Sequence, residues 1–268
     1  MRTIAITNQK GGVAKTTTAV NLGACLAEHG KRVLLVDLDP QANLTSWLGF
    51  GKEEDYKSVY DVLVNETPMA EVLRAFTIDT LWVAPSVVEL AGVERLLANE
   101  AGRDSVLKRK LDGLTEGYDY ILFDCPPSLG VITINALTAA REVFIPVETK
   151  ILALNGLVTL THTIQAVRDR LNPALEITGI IACMYDGRTN LSREVLDKLR
   201  GRFGGKVFNT VIRENVRLAE CPISELPIHL YAPGSAGAKD YESLAVEVIG
   251  SEKTDTGADT GVDADKDQ

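Results

Sequence analysis

Residues 4–21 read IAITNQKGGVAKTTTAVN, and the fold follows from how that stretch is organised. Residues 2–7 have the apolar and polar alternation of a short strand; Gly11 and Gly12 break it, and from Lys15 to Leu26 apolar residues return at helical spacing. Strand, glycine turn and helix make a concavity into which freed backbone N–H groups point, so an anion is favoured there by hydrogen bonding and by the helix dipole. Lys15 adds a full positive charge, and the Thr16 hydroxyl can hold a magnesium ion. The expectation is a phosphate-binding loop running through Lys10, Gly11, Gly12, Val13, Ala14, Lys15, Thr16 and Thr17.

The general phosphate-loop pattern, glycine, four residues, then Gly-Lys-Ser/Thr, is met imperfectly, because Gln9 and Ala14 stand at its two glycine positions. The stretch matches instead a variant with an extra lysine at its start, KGGxGKTT, apart from Ala14 in place of the last glycine. In this it resembles the ParA/Soj partition ATPases, within the larger group that includes MinD and the nitrogenase iron protein. The resemblance implies a P-loop ATPase of the α/β class, with a mainly parallel twisted sheet and helices on both faces. It also implies ATP, ADP and Mg²⁺ as ligands.

The 268 residues, 45% of them hydrophobic, suit one large α/β domain, expected over 1–250. No run of about 18 apolar residues and no signal-peptide pattern is present, so a cytoplasmic protein is expected. Cys25, Cys125, Cys183 and Cys221 lack paired metal spacing and read as buried free thiols. The net charge of −9 conceals an asymmetry. Residues 251–268 hold six acids against Lys253 and Lys266 and read as a disordered acidic tail. Between Arg188 and Arg217 eight basic residues face three acids, a local excess of five positive charges.

Further along, KRVLLVDL at 31–38 is a nearly continuous apolar run, as in a parallel strand covered on both faces. Ligands in open α/β sheets bind beyond strand carboxyl ends, which brings Asp37 and Asp39 toward the loop, with capping of the following turn as the alternative for either acid. YDYILFDCPP at 118–127 delivers Asp124 in the same way. A carboxylate on a rigid element is what magnesium and its waters require. Helices are expected over 43–49, 58–65, 68–75, 153–171, up to 203 after a cap at Asn190 or Ser192, and 239–249, with two more between 92 and 114. Strands are expected at 81–84, 141–147, 176–184 and 206–212.

VDLDPQAN, DCPP and MYDGRTNLSREV closely resemble the family's wording. The resemblance implies that Asp39 positions the attacking water and supports the metal with Thr16 and Asp124, and that Lys10 contacts nucleotide across a sandwich homodimer formed with ATP. It further implies adenine contacts from Arg213, which stands where the family usually has proline, and Asn215, and DNA contacts from Arg188 and Arg217. A DNA-partition function follows, with non-specific double-stranded DNA and a ParB-like centromere-binding protein as partners and a nucleoid-associated ATP form. The alternatives are a MinD-like ATPase acting on a membrane and a scaffold for a non-DNA cargo. The ending TDTGADTGVDADKDQ lacks the basic amphipathic helix of the membrane class, so stable membrane association is not expected.

Overall fold

The computed structural model describes residues 1–53, 56–112, 114, 117–150 and 153–255. Among these, eight strands form one sheet: β1 (Arg2–Ile6), β2 (Val33–Asp37), β3 (Arg74–Ala75), β4 (Leu81–Ala84), β5 (Tyr120–Asp124), β6 (Glu142–Glu148), β7 (Glu176–Tyr185) and β8 (Val207–Arg213). The helices are α1 (Lys15–Glu28), α2 (Asn43–Trp47), α3 (Val59–Val64), α4 (Val93–Leu96), α5 (Val106–Leu111), α6 (Val131–Ala139), α7 (Ala153–Arg170), α8 (Asn190–Phe203), α9 (Val216–Glu220), α10 (Ile228–Tyr231) and α11 (Ala236–Asp255).

The strand order is β3-β4-β2-β5-β1-β6-β7-β8, parallel throughout except for β3, which runs antiparallel to β4 at the edge. The expected mainly parallel α/β sheet is therefore present. Both faces are covered, which explains the unbroken apolar runs. Leu34, Val36, Ile121 and Phe123 pack into one core with α3 to α8, and their strand neighbours Val33, Leu35, Tyr120 and Leu122 into a second core with α1, α2, α10 and α11. Helix α1 lies so close to the sheet that a Cβ on Gly23 would stand 2.5 Å from Leu35 Cδ2. Strand β1 lies between β5 and β6, so the loop that follows it opens where the chain's strand order reverses.

The structure departs from expectation at four places. Helix α6 is missing from the sequence-based assignment; VITINALTA is buried on nearly every side, Thr133, Asn135 and Thr138 included, so it carries no amphipathic period. Residues 68–75 are not one helix but a 3₁₀ turn, Met69–Glu71, followed by edge strand β3. The cap of α8 is Thr189, whose hydroxyl accepts from the Ser192 N–H at 3.3 Å, while Ser192 itself is buried against Thr149. The last helix continues through Asp255, five residues into the segment expected as tail. Its end is fastened to the sheet. Lys31 pairs with Glu252 at 2.9 Å, the Tyr120 hydroxyl donates to Glu252, and Arg2 donates to the Val248 carbonyl at 2.8 Å and to Ser251 Oγ at 3.0 Å. The rest of the expected tail, 256–268, lies outside the described residues.

The four cysteines are free and buried, as expected. Burial pushes the thiols up, Cys25 and Cys183 to about 12 and Cys221 to about 11. No described helix is long and apolar enough to cross a membrane.

Candidate functional site

Between β1 and α1 the chain turns through two residues in the left-handed region, Gly12 at φ 71° and Ala14 at φ 72°, ψ 30°. Glycine takes that conformation freely, whereas alanine pays about 1 kcal/mol or more. Ala14 is the N-cap of α1 and offers no side-chain acceptor, so the first amides of the helix remain available to an anion. Open space surrounds the Cβ positions of Gly11 and Gly12.

Lys15 is 7% exposed and curls back so that Nζ donates to the Lys10 carbonyl at 3.2 Å. Burial lowers its pKa, against the raising influence of Asp124, Cys125 and Asp39. The extra lysine, Lys10, does not stand free: Nζ meets Glu148 Oε2 at 2.5 Å at the end of β6, and Lys150 pairs with the other oxygen of the same carboxylate. Burial raises the Glu148 pKa, but hydrogen bonds from the two lysines outweigh it and hold the group below the ordinary range.

Three acids end adjacent strands or follow them. Asp37 and Asp124 are direct register partners across β2 and β5. Asp37 is wholly buried and fully engaged, accepting from the Thr45 N–H at 2.9 Å, the Thr45 hydroxyl at 2.7 Å and the Asp39 N–H at 3.1 Å. Burial still pushes it up to about 6. Its task is to fasten the start of α2, the local role weighed as the alternative in the sequence. Asp124 differs. Both carboxylate oxygens are buried, and among the described residues neither completes a hydrogen bond of good geometry, although the Thr16 hydroxyl and the Lys15 ammonium are near enough to favour the charge. Burial and the charge of Asp37 raise its pKa well above the ordinary range, and Thr16 and Lys15 pull the other way without prevailing. Asp39, 8% exposed, accepts the Gln41 N–H at 2.9 Å through Oδ1.

An orphaned buried carboxylate beside a lysine and a threonine hydroxyl fits a divalent cation that brings its own water and phosphate ligands. Among the described residues no cluster of three or more His, Cys, Asp or Glu is arranged to hold a metal.

The second flank lies at the carboxyl ends of β7 and β8. Arg188 is 91% exposed at its side chain and makes a two-pronged pair with Asp186 at 2.9 and 3.0 Å; Arg217, 60% exposed, pairs with Glu220 at 2.9 Å. Because β7 and β8 are neighbours, the two expected DNA-contacting arginines share this pole of the sheet. The Arg213 guanidinium is committed to Asp240 of α11, with contacts from 2.6 to 3.1 Å. The Asn215 side chain caps α9 by accepting the Arg217 N–H at 2.8 Å. Glu148 was not among the residues expected here. Its signal was the one that marked Asp37 and Asp124, an acid closing a buried apolar strand, here VFIPVE.

A glycine-turned loop with a buried lysine, opposite carboxylates on neighbouring parallel strands, defines a P-loop nucleoside triphosphatase. A family described as an AAA domain matches residues 1–177. The sporulation initiation inhibitor protein Soj of Bacillus subtilis is 51% identical over 91% of this chain and 97% of its own length. The chromosome partitioning protein ParA of Caulobacter vibrioides is 46% identical over 94% and 96%. Among solved structures, cobyrinic acid a,c-diamide synthase from Mycobacterium smegmatis, with bound ADP and magnesium, superposes with TM-score 0.83 at 37% identity, covering 95% of this chain and 96% of that one. The chain belongs to the Soj/ParA family of chromosome-partitioning ATPases.

Proposed function

We propose that this chain is an ATP-hydrolysing DNA-partition ATPase that closes as a dimer around its nucleotide. The observation that carries the reading is Asp124, a fully buried carboxylate beside the lysine-bearing loop that, among the described residues, completes no hydrogen bond of good geometry and is faced by Thr16 and Lys15. Such a group is expensive to keep unless a cation complex completes it.

The loop amides from Gly11 to Thr17 and the Lys15 ammonium receive the phosphates of ATP. The Thr16 hydroxyl together with Asp124 and Asp39 would hold a magnesium ion, which would supply neutralisation of the phosphate charge. Asp39 orients the attacking water in line with the γ-phosphate. Arg213 and Asn215 serve the adenine through their backbones, since both side chains are already engaged with Asp240 and with the start of α9. Lys10 of each protomer leaves Glu148 to reach the phosphates bound by the other, so charge stabilisation and dimerisation are one event.

In the dimer, Arg188 and Arg217 from both protomers contact DNA phosphates, adding by avidity on one rigid body. Affinity is independent of sequence and falls steeply with salt. The ATP form is nucleoid-associated, a ParB-like partner stimulates hydrolysis, and ADP releases the dimer. Sedimentation of the wild type and Lys10→Ala with ATP, ADP and no nucleotide tests the sandwich: a dimer is expected only for the wild type with ATP. A wild type that stays monomeric with ATP would sink it. Duplex DNA ignored by the ATP form at low salt would remove the DNA role, and recovery with anionic liposomes instead would favour the membrane alternative.

A further inference from the structure

The backbone of Asp39 is held by a closed circuit of hydrogen bonds drawn from three parts of the chain. The Asp39 N–H donates to Asp37 Oδ1 at 3.1 Å, and the Thr45 hydroxyl donates to Asp37 Oδ2 at 2.7 Å. The Ser86 N–H donates to Thr45 Oγ1 at 2.8 Å, and the Ser86 hydroxyl returns to the Asp39 carbonyl at 2.7 Å. Asp37 and Ser86 are 0% exposed, Thr45 1% and Asp39 8%. The Tyr56 hydroxyl occupies the Ser86 carbonyl at 2.7 Å.

In the circuit Ser86 donates twice and Asp37 accepts twice, and neither hydroxyl has a spare proton. A hydroxyl carries one proton, and that of Thr45 goes to a carboxylate, a charge-assisted bond of the stronger kind. Its lone pair is then left for the Ser86 N–H, and the single proton of Ser86 is left for the Asp39 carbonyl. Removing the Thr45 hydroxyl deprives the buried Ser86 N–H of its acceptor, and removing the Ser86 hydroxyl leaves the Asp39 carbonyl to the Ala42 N–H at 2.9 Å and cuts its tie to the end of β4. Both backbone polar groups of Asp39 are thereby fixed, while its carboxylate stays outside the circuit. Ser86 follows β4, and its hydroxyl meets the site at the Asp39 carbonyl.

We propose that Thr45 and Ser86 are positioning residues for hydrolysis: they fix the Asp39 backbone so that its carboxylate stays aimed at the attacking water, and they take no part in nucleotide affinity. This rests on the role given to Asp39 above. A displacement of an ångström at a reacting group lowers rate by about a hundredfold, whereas binding through the loop is made elsewhere.

The test is steady-state MgATP hydrolysis by wild type, Ser86→Ala, Thr45→Val, Thr45→Ser, the Thr45→Val/Ser86→Ala double variant and Asp39→Ala. The ADP-induced thermal shift of each reports folding and binding. Ser86→Ala and Thr45→Val are each expected to lower kcat about tenfold or more, with KM within about twofold of wild type. Thr45→Ser, which restores the hydroxyl, recovers at least about a third of kcat, and the double variant is little worse than either single one, because the circuit fails as a unit. Wild-type kcat in Ser86→Ala, a raised KM at unchanged kcat, or a Thr45→Ser as impaired as Thr45→Val each overturns the proposal. Loss of hydrolysis in Asp39→Ala beside full turnover in Ser86→Ala overturns it alone, whereas full turnover in Asp39→Ala overturns the role of Asp39 and this proposal with it.

Discussion

The two poles of chemistry in this molecule are built differently. Around the phosphate loop the charged groups are buried: Lys15, Asp37, Asp39 and Asp124 are each at most 8% exposed and sit on backbone fixed by the sheet. On the β7–β8 flank Arg188 and Arg217 are exposed and each is held by an acid close by in sequence, Arg188 by Asp186 and Arg217 by Glu220. Burial makes the first set few, costly and irreplaceable. Exposure makes the second set cheap, screened and exchangeable, since a surface ion pair contributes little and is open to competing anions.

The contrast is most sharply broken at Lys15. Lys15→Ala is expected to reduce ATP hydrolysis by about a hundredfold or more, and near-normal turnover would remove the loop from the mechanism. Asp124→Asn comes next. It replaces an orphaned carboxylate by a neutral amide, so the nucleotide-free protein should gain about 1–3 kcal/mol at neutral pH while losing magnesium-dependent nucleotide binding. The sign with pH follows from the raised folded pKa. A protonated Asp124 is favoured by the fold, so its contribution is present at acid pH and is lost as pH rises through the folded pKa. The advantage of the Asp124→Asn variant in thermal melts should therefore grow from acid toward neutral pH, and a pH-independent difference would show that burial strain at Asp124 is not the cause.

Arg217→Ala probes the exposed pole. It should weaken DNA binding about tenfold at low salt and reduce the slope of log affinity against log salt by about one for each phosphate no longer neutralised, where an unchanged slope would place the DNA surface elsewhere. Smallest is Ala14→Gly. Relief of the left-handed alanine is expected to stabilise the protein by about 1 kcal/mol and to raise ATP affinity or turnover severalfold. Identical behaviour of the two proteins would make Ala14 a neutral substitution despite its φ of 72°.

The same difference explains what could be read from the chain before its structure. The loop and the strands that end in Asp37 and Asp124 announce themselves because burial imposes continuous apolar runs and one conformation on each short stretch. The circuit through Thr45 and Ser86 does not, because it joins residues 41 positions apart through single hydroxyls, which have no sequence period. Nor does the pairing of Lys10 with Glu148, 138 residues away. Helix α6 escaped for the opposite reason, being too uniformly buried to show an amphipathic face. At the β7–β8 flank, the count of basic residues correctly marked a charged surface but could not reveal the acids that share it, since Asp186 and Glu220 fall just outside the segment counted.

The four cysteines have a practical consequence for watching this molecule assemble. Each thiol is buried, and burial raises its pKa, so little thiolate forms near neutral pH for an alkylating reagent to attack. One cysteine placed on an exposed position would be the reactive one in the folded chain, with the natural four left in place. A fluorophore there, clear of the loop and of the β7–β8 flank, would follow protomers as they meet and part in real time while the interior stays chemically silent.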